Sequence, residues 1–337
     1  MTFLRMYRIS PVKKPINIGI SLKIIGLLTG VFFFIELIFG IISGSLALQA
    51  DALHMASDFI SIMIGIYSQK CAILPPDNKN TFGLVRYDII GGFANGIFLI
   101  SSCFFIILES IHKFIELHNG EPLVNNISLL LMVGIIGLGI NIMGIIILHF
   151  CTDEETLSNS HNMRGVLLHI IGDLLGSIGV IASALIMDNW EAMGGDPSSP
   201  YKYISDPISS FIIVILILGT VRNLIKDSLN ILLEGVPKSI DINEITEKLL
   251  NVEEVINIHD LHIWNLNNSM ILSSCHVEYI NKDKNSMMNT QDTIKKILCD
   301  YKIYKSTIQF EHCLEDCDHT SQNSHKTCHD IVKYEGI

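Results

Sequence analysis

Residues 46–62 read LALQADALHMASDFISI. The stretch is apolar enough for a membrane-spanning helix, yet it carries Asp51, His54 and Asp58. His54 and Asp58 stand four residues apart, which puts an imidazole and a carboxylate on one helix face, one turn apart. The same pair returns as His169 and Asp173 in a second apolar stretch, VLLHIIGDLLGSIGVI at 166–181. An ionisable side chain in a membrane span is costly unless paired, so its presence points to function. A single His or Asp there is accounted for by an interhelical hydrogen bond. A duplicated His-x3-Asp offers more, because two such helices can close four ligands around one ion. Zinc takes four-coordinate sites of imidazole nitrogen and carboxylate oxygen, and two neutral His with two ionised Asp balance a divalent cation. The pattern therefore implies a tetrahedral His2Asp2 site for a transported metal, His54, Asp58, His169 and Asp173.

Composition agrees with a membrane protein. The 337 residues are 49% hydrophobic and only 17% charged, with a mean hydropathy of +0.43; a soluble domain carries nearer to about 25% charged residues. A net charge of −11 speaks against a nucleic-acid partner. Six apolar runs are long enough to span a bilayer: about 22–43, 46–68, 87–111, 127–150, 165–187 and 208–225. The first 20 residues form a basic arm broken by prolines, with no cleavable signal peptide expected. Arg5, Arg8, Lys13, Lys14, Lys70, Lys79, Arg86, Arg164, Arg222 and Lys226 fall on one side of a six-span layout, against Lys113 and Lys202 on the other. Positive residues stay in the cytosol, so both termini are expected there. The fold class expected is an α-helical membrane bundle of six transmembrane helices followed by a small cytosolic α+β domain. Its parts are a cytosolic arm at 1–20, the bundle at 21–233, the domain at 234–312 and a Cys/His-rich tail at 313–337.

The domain is read from periodicity. DINEITEKLLN has helical spacing, while VINIHDLHIWNL and MILSSCHVEYI alternate as strands joined by a turn at Asn267-Asn268. Residues 286–300 read as a helix and STIQFEH as a last strand, giving the order αββαβ. The eight cysteines show no disulfide framework, in keeping with a reducing compartment.

Other polar residues of the spans carry weaker signals. Asp51 precedes His54 by three residues, which turns it partly aside and assigns it to helix packing or to supporting the site. Glu36, Asn95, Glu109 and Asn141 are expected to face the bundle interior, lining an ion path or tying helices together. Without metal, the buried carboxylates of the site repel each other and are desolvated. The empty site is then expected to take up protons, and metal to displace them. The reading is a proton-coupled antiporter and not an enzyme, with no cofactor and with Zn2+ and H+ as partners beside membrane lipid. A membrane metalloenzyme would add a general base or nucleophile, and none stands out. A non-transporting metal sensor would predict a damaged His/Asp set, and this set is intact.

GSLALQADALHMASDFISI, TFGLVRYDIIGG, NMRGVLLHIIGDLLGSIGV, YKYISDPISSF, LLEGVPKSIDI and HDLHIWNL, in this order, resemble the cation diffusion facilitator family in its eukaryotic zinc-transporter branch, over residues 25–311. The resemblance implies a homodimer of six-span protomers with a cytosolic metallochaperone-like domain, exporting zinc from the cytosol to the exterior or into an organelle in exchange for protons. The membrane housing it is the plasma membrane or an endomembrane such as a vesicle, vacuole or Golgi-like compartment. The family's transport site falls on His54, Asp58, His169 and Asp173. Relatives with Asp in place of the first His are associated with manganese or broader selectivity; a manganese, cadmium or cobalt transporter of the same family, and a sensing dimer subunit, are the alternatives. By position His259, His276 and Glu311 resemble family metal ligands of the C-terminal domain, while a further family His falls at Tyr304. Family tails also use a cysteine pair, and Cys313 and Cys317 lie in EHCLEDCDH.

Overall fold

The structure, a computed structural model, describes residues 18–43, 46–119, 127–152, 159–196, 199–280 and 284–312. The chain falls into two compact units that part at Glu234 and Gly235. In the first, six long helices follow one another: α1 (Ile18–Ser43), α2 (Leu46–Ala72), α3 (Tyr87–Asn119), α4 (Ile127–Cys151), α5 (His161–Asp188) and α6 (Ser205–Leu232). Helices satisfy their backbone polar groups internally, as an apolar surrounding demands. Among the described residues four stretches are long and apolar enough to cross a membrane: Tyr87–Asn119, Leu131–Phe150, His161–Asp188 and Tyr201–Leu232. Gly19–Ile35 is a shorter apolar helix, and α2 carries Asp51, His54 and Asp58 in its first half.

Several helices outrun the apolar stretches that announce them, for local reasons. The α3 helix continues two turns past Ile111 on i,i+4 side-chain pairs, the ion pair of Lys113 with Glu109 at 2.9 Å and the contact of His112 Nδ1 with Glu116 Oε1 at 3.4 Å; such pairs favour helix without apolar residues. The α5 helix starts at His161 rather than at 165, because the Ser160 hydroxyl accepts from the Met163 N–H at 3.1 Å and caps the first turn. Pro207 sits in the first turn of α6, where its missing N–H costs nothing.

Two apolar cores hold the helices. Leu22 and Ile25 of α1, Ile62 of α2, Leu148 of α4, and Met163, Val166 and Ile170 of α5 form one. Leu99 and Cys103 of α3 with Val214, Ile217 and Val221 of α6 form the other. Between them α3 meets α2 and α5 through glycine. A Cβ added at Gly91 would lie 2.6 Å from Ser68 Oγ, and one at Gly165 would lie 3.0 Å from the Asn95 Cβ. A Cβ at Gly92 would collide with the His161 backbone carbonyl. Backbone therefore approaches backbone at Gly92 and Gly165, and small side chains fill the contact at Gly91.

The second unit contains α7 (Ile242–Leu250), β1 (Val255–Asn267), β2 (Met270–Tyr279), α8 (Lys284–Asp300) and β3 (Lys305–His312). The sheet order is β1-β2-β3, with β2 and β3 parallel, an arrangement that needs a crossover and obtains it from α8. Ile245 and Leu249 of α7 and Ile294 and Leu298 of α8 pack on Ile263, Cys275 and Val277 of the sheet. The hairpin turn falls at 268–269, one residue beyond the expected Asn267-Asn268. Asn267 stays in the strand and its side-chain oxygen accepts from the Ser269 N–H at 3.0 Å, closing an Asx turn.

Gly92→Val is expected to prevent close packing of α3 on α5. Size-exclusion chromatography of the detergent-solubilised protein should show loss of the monodisperse peak, whereas Gly139→Val, where a Cβ meets nothing within 4 Å, should leave it intact.

Candidate metal centres

The first cluster lies where α2 meets α5. Helical spacing puts His54 and Asp58 on one face of α2, and His169 and Asp173 on one face of α5. His169 Nε2 lies 2.8 Å from Asp58 Oδ1, with both side chains 2% exposed. His54 Nε2 lies 4.0 Å from Asp58 Oδ2. One nitrogen of His54 and one oxygen each of Asp58 and Asp173 lie within 4.8 Å of one another. The structure thus gathers all four residues of the duplicated motif, with His169 joining through its bond to Asp58. Asp58, His169 and Asp173 line a cavity of about 20 Å³ together with Ile62, Asn141 and Gly144, room for a single small ion or water. Asp58 Oδ2 and His169 Nδ1 are buried without a hydrogen-bond partner from the protein. Buried polar atoms are ordinarily satisfied, and unsatisfied oxygen and nitrogen beside a carboxylate and imidazoles make a donor set that fits a divalent transition metal.

The remaining intramembrane candidates separate. Asn141 lines this cavity and its side-chain N–H donates to Ser177 Oγ at 3.4 Å. Asn95 is buried on α3 and accepts from Ser61 Oγ at 3.1 Å, facing α2 on a side the cavity does not reach. The side chains of Glu36 and Asp51 lie outside the described residues. Glu109 does not face the interior: its side chain is 64% exposed and pairs with Lys113, which also reaches Asp206 at 2.8 Å. The reason is its position near the end of α3, where a carboxylate reaches a lysine one turn on.

The second cluster lies on the sheet of the second unit. His259 of β1, His276 of β2 and Glu311 of β3 come together: His259 Nε2 is 3.2 Å from Glu311 Oε2, and His276 Nδ1 is 2.8 Å from Glu311 Oε1. A fourth residue, Glu278, stands with them, its Oε1 3.6 Å from His259 Nε2. Sequence reasoning passed over Glu278, although a signal was present. It follows His276 by two residues in an alternating strand, which places both on one face, and it pairs in register with Glu311. Tyr304 stands outside this cluster at 59% exposure. Cys313 and Cys317 lie outside the described residues. Cys275, beside His276, turns into the core, where burial pushes its thiol up to about 11, so it serves as a small apolar residue.

A helical membrane unit with acid–imidazole pairs meeting between two helices, followed by an α+β unit bearing its own His/Glu cluster, is a layout that suits a metal-ion transporter. Comparison with known proteins agrees. The family profile described as cation efflux transmembrane domain matches residues 22–233, and that described as cation efflux protein, cytoplasmic domain, matches residues 237–313. The chain is 30% identical to the vacuolar zinc transporter ZRC1 of Saccharomyces cerevisiae, over 87% of this chain and 84% of that protein. It is 34% identical to a cadmium, cobalt and zinc/H(+)-K(+) antiporter of Bacillus velezensis, over 87% and 88%. A solved structure, the metal-bound C-terminal domain of the CzcD transporter from Cuprividus metallidurans, is 33% identical and covers 21% of this chain and 99% of that one, with a TM-score of 0.20. The chain belongs to the cation efflux, or cation diffusion facilitator, family. Its members are membrane transporters and not enzymes.

If Glu278 contributes to the second cluster, Glu278→Gln should weaken zinc binding about tenfold or more, the scale expected when a metal ligand or its close support is lost. Equilibrium dialysis of the full chain carrying Asp58→Ala, Asp173→Ala, Cys313→Ser and Cys317→Ser removes the other candidate ligands; unchanged affinity would place Glu278 outside the cluster.

Proposed function

We propose that the chain moves Zn2+ out of the cytosol in exchange for protons, through a site made by His54, Asp58, His169 and Asp173. The observation that carries the reading is the meeting of the two His-x3-Asp pairs between α2 and α5, with Asp58 bonded to His169 at 2.8 Å. Two imidazoles and two carboxylates suit zinc by charge and by ligand type. The same groups hold protons when no cation is present, since adjacent buried carboxylates cannot both stay charged and unpaired. Metal entry then releases protons and proton entry releases metal. Opening this site alternately to the two sides of the membrane converts that competition into exchange.

In this reading all six helices cross the membrane and both termini face the cytosol, in line with the distribution of Lys and Arg. The arm at 1–20 and the unit after residue 233 are then cytosolic. The cluster of His259, His276, Glu278 and Glu311 binds zinc as a regulatory or structural ion, and Asn141 supports the transport site. The protein works as a homodimer through its C-terminal unit, as the dimer label of the matching profile supports. An endomembrane such as a vacuole suits its likeness to the yeast relative.

Proteoliposomes test the exchange. Zinc flux should follow an imposed pH gradient and vanish in Asp173→Ala. Zinc affinity should fall with falling pH, by about tenfold per unit for each proton displaced. Cadmium, cobalt and manganese in parallel assays set the selectivity; manganese flux without zinc flux would overturn the choice of metal. Full zinc flux in Asp173→Ala would overturn the site.

A further inference from the structure

The connection between α2 and α3, residues 73–86, is a folded piece and not a bare tether. Pro75 and Pro76 end the helix. The Asp77 carboxylate accepts from the N–H of Lys79 at 2.8 Å and from that of Asn80, closing an Asx turn. The Gly83 N–H donates to the Asn80 carbonyl at 2.8 Å. Gly83 has a φ of +76°, and a Cβ there would lie 3.2 Å from the Leu74 carbonyl oxygen, so the two limbs of the loop touch. The loop thereby brings the chain at Ile73 and Leu74 beside the chain at Phe82. These three side chains are 66%, 46% and 52% exposed. Large apolar side chains gathered on one short loop are costly in water and mark a contact surface.

Its surroundings say what covers it. Ile60, Met63 and Tyr67 follow at steps of three and four on one face of α2, at 48%, 37% and 61% exposure, and lead to the loop. The rings of Tyr67 and Tyr87 stand 6.2 Å apart, and tyrosines gather where a membrane meets water. A stretch able to cross the membrane begins at Tyr87. Phe82, five residues earlier, lies within about 18 Å of that level even at full extension. The loop is also basic. Lys70 and Lys79 are exposed, and neither forms an ion pair with another described residue. The carboxylate of Asp77 is taken up by the loop's own N–H groups, and Arg86 is held by Glu234 at 2.9 Å. A purely apolar protein surface would leave both lysines unmet. An anionic bilayer surface meets the whole set, the acyl boundary taking the apolar side chains and phosphate taking the ammonium groups.

We propose that the loop between α2 and α3 is a membrane-surface anchor. Ile73, Leu74 and Phe82 enter the headgroup boundary of the adjoining leaflet, and Lys70 and Lys79 hold the phosphate of an anionic phospholipid. The anchor rests on the reading that α2 crosses the membrane. The α2 helix ends at Ala72, so the lipid holds one end of the helix that carries His54 and Asp58.

Tryptophan quenching tests the anchor in proteoliposomes containing brominated lipid, after subtraction of the emission of the wild-type chain with its two tryptophans. Phe82→Trp should emit to the blue of a tryptophan in water. Bromine near the headgroup should quench it more than bromine near the chain end. At equal mole fraction, brominated phosphatidylglycerol should quench it about twofold or more beyond brominated phosphatidylcholine, and Lys70→Gln with Lys79→Gln should remove that preference. Quenching without the preference overturns the headgroup assignment. Ile60→Trp is the reference for the span and should be quenched by chain-end bromine. If Ile60→Trp escapes quenching, α2 lies outside the bilayer and the six-span reading falls with the anchor. If Ile60→Trp is quenched and Phe82→Trp is not, the anchor alone falls. Red emission then puts the loop in water, and blue emission puts it under protein, a second copy of the chain or another partner. Should Phe82→Trp fail to fold, Ile73→Trp occupies the neighbouring exposed position and must give the same pattern.

Discussion

A carboxylate and an imidazole 2.8 Å apart, both almost wholly buried between two helices, set the terms for the rest of the bundle. Neither group tolerates an apolar surrounding alone, and together they tie α2 to α5. Ile62, Ile170 and Gly144 line the same cavity, beside Thr29, Asn141 and Asp173. Burial strengthens the pairing and also makes it conditional. A cation that arrives must replace the hydrogen bond with bonds of its own, so the contact that holds the helices is the contact the proposed cargo breaks. Binding and helix arrangement are thereby joined at Asp58.

The membrane cluster was legible in the sequence because it is built on a period. His54 with Asp58, and His169 with Asp173, are readable from the helical repeat alone, and the match with the family profile extends over the whole apolar region. What was not legible was set by contacts distant in sequence. Asn162 lies just inside the start of α5, among polar residues that look like a loop. Its burial comes from the glycines of α3 and from Gly65, 97 residues away. Glu109 read as an interior residue because its neighbours are apolar; a lysine one turn along draws it out. Helix ends moved for similar reasons, since the Ser160 cap and the i,i+4 side-chain pairs of α3 act where the apolar run has stopped.

The C-terminal unit gives the opposite lesson. Its order αββαβ followed from strand alternation, and the sheet carries that order with β2 and β3 parallel. The fourth residue of the cluster, Glu278, followed from the same alternation, whereas likeness to the family by position reaches only His259, His276 and Glu311. Register supplies what position did not. Glu278 and Glu311 are direct neighbours across two strands, and like charges so placed are unfavourable unless something positive stands between them. The two imidazoles, at 5.1 Å between ring centres, lie beside both carboxylates, His259 Nε2 within 3.6 Å of Glu278 and His276 Nδ1 within 2.8 Å of Glu311, where a cation would complete the set.

The two separate apolar cores of the bundle have a mechanical meaning. Interlocked side chains resist sliding, because each knob must leave its hole before the next position is reached. Along the line where α3 meets α2 and α5, glycine shortens the knobs, and at Gly92 and Gly165 the α3 and α5 backbones come close. The α3–α6 pair is pinned at one end by Lys113 and Asp206, and Ser183 and Ser209 tie α5 to α6 at 3.1 Å. Where the knobs are missing, register between the helices falls to the hydrogen bonds that cross the seam, Ser61 with Asn95 and Asn162 with the Gly65 carbonyl.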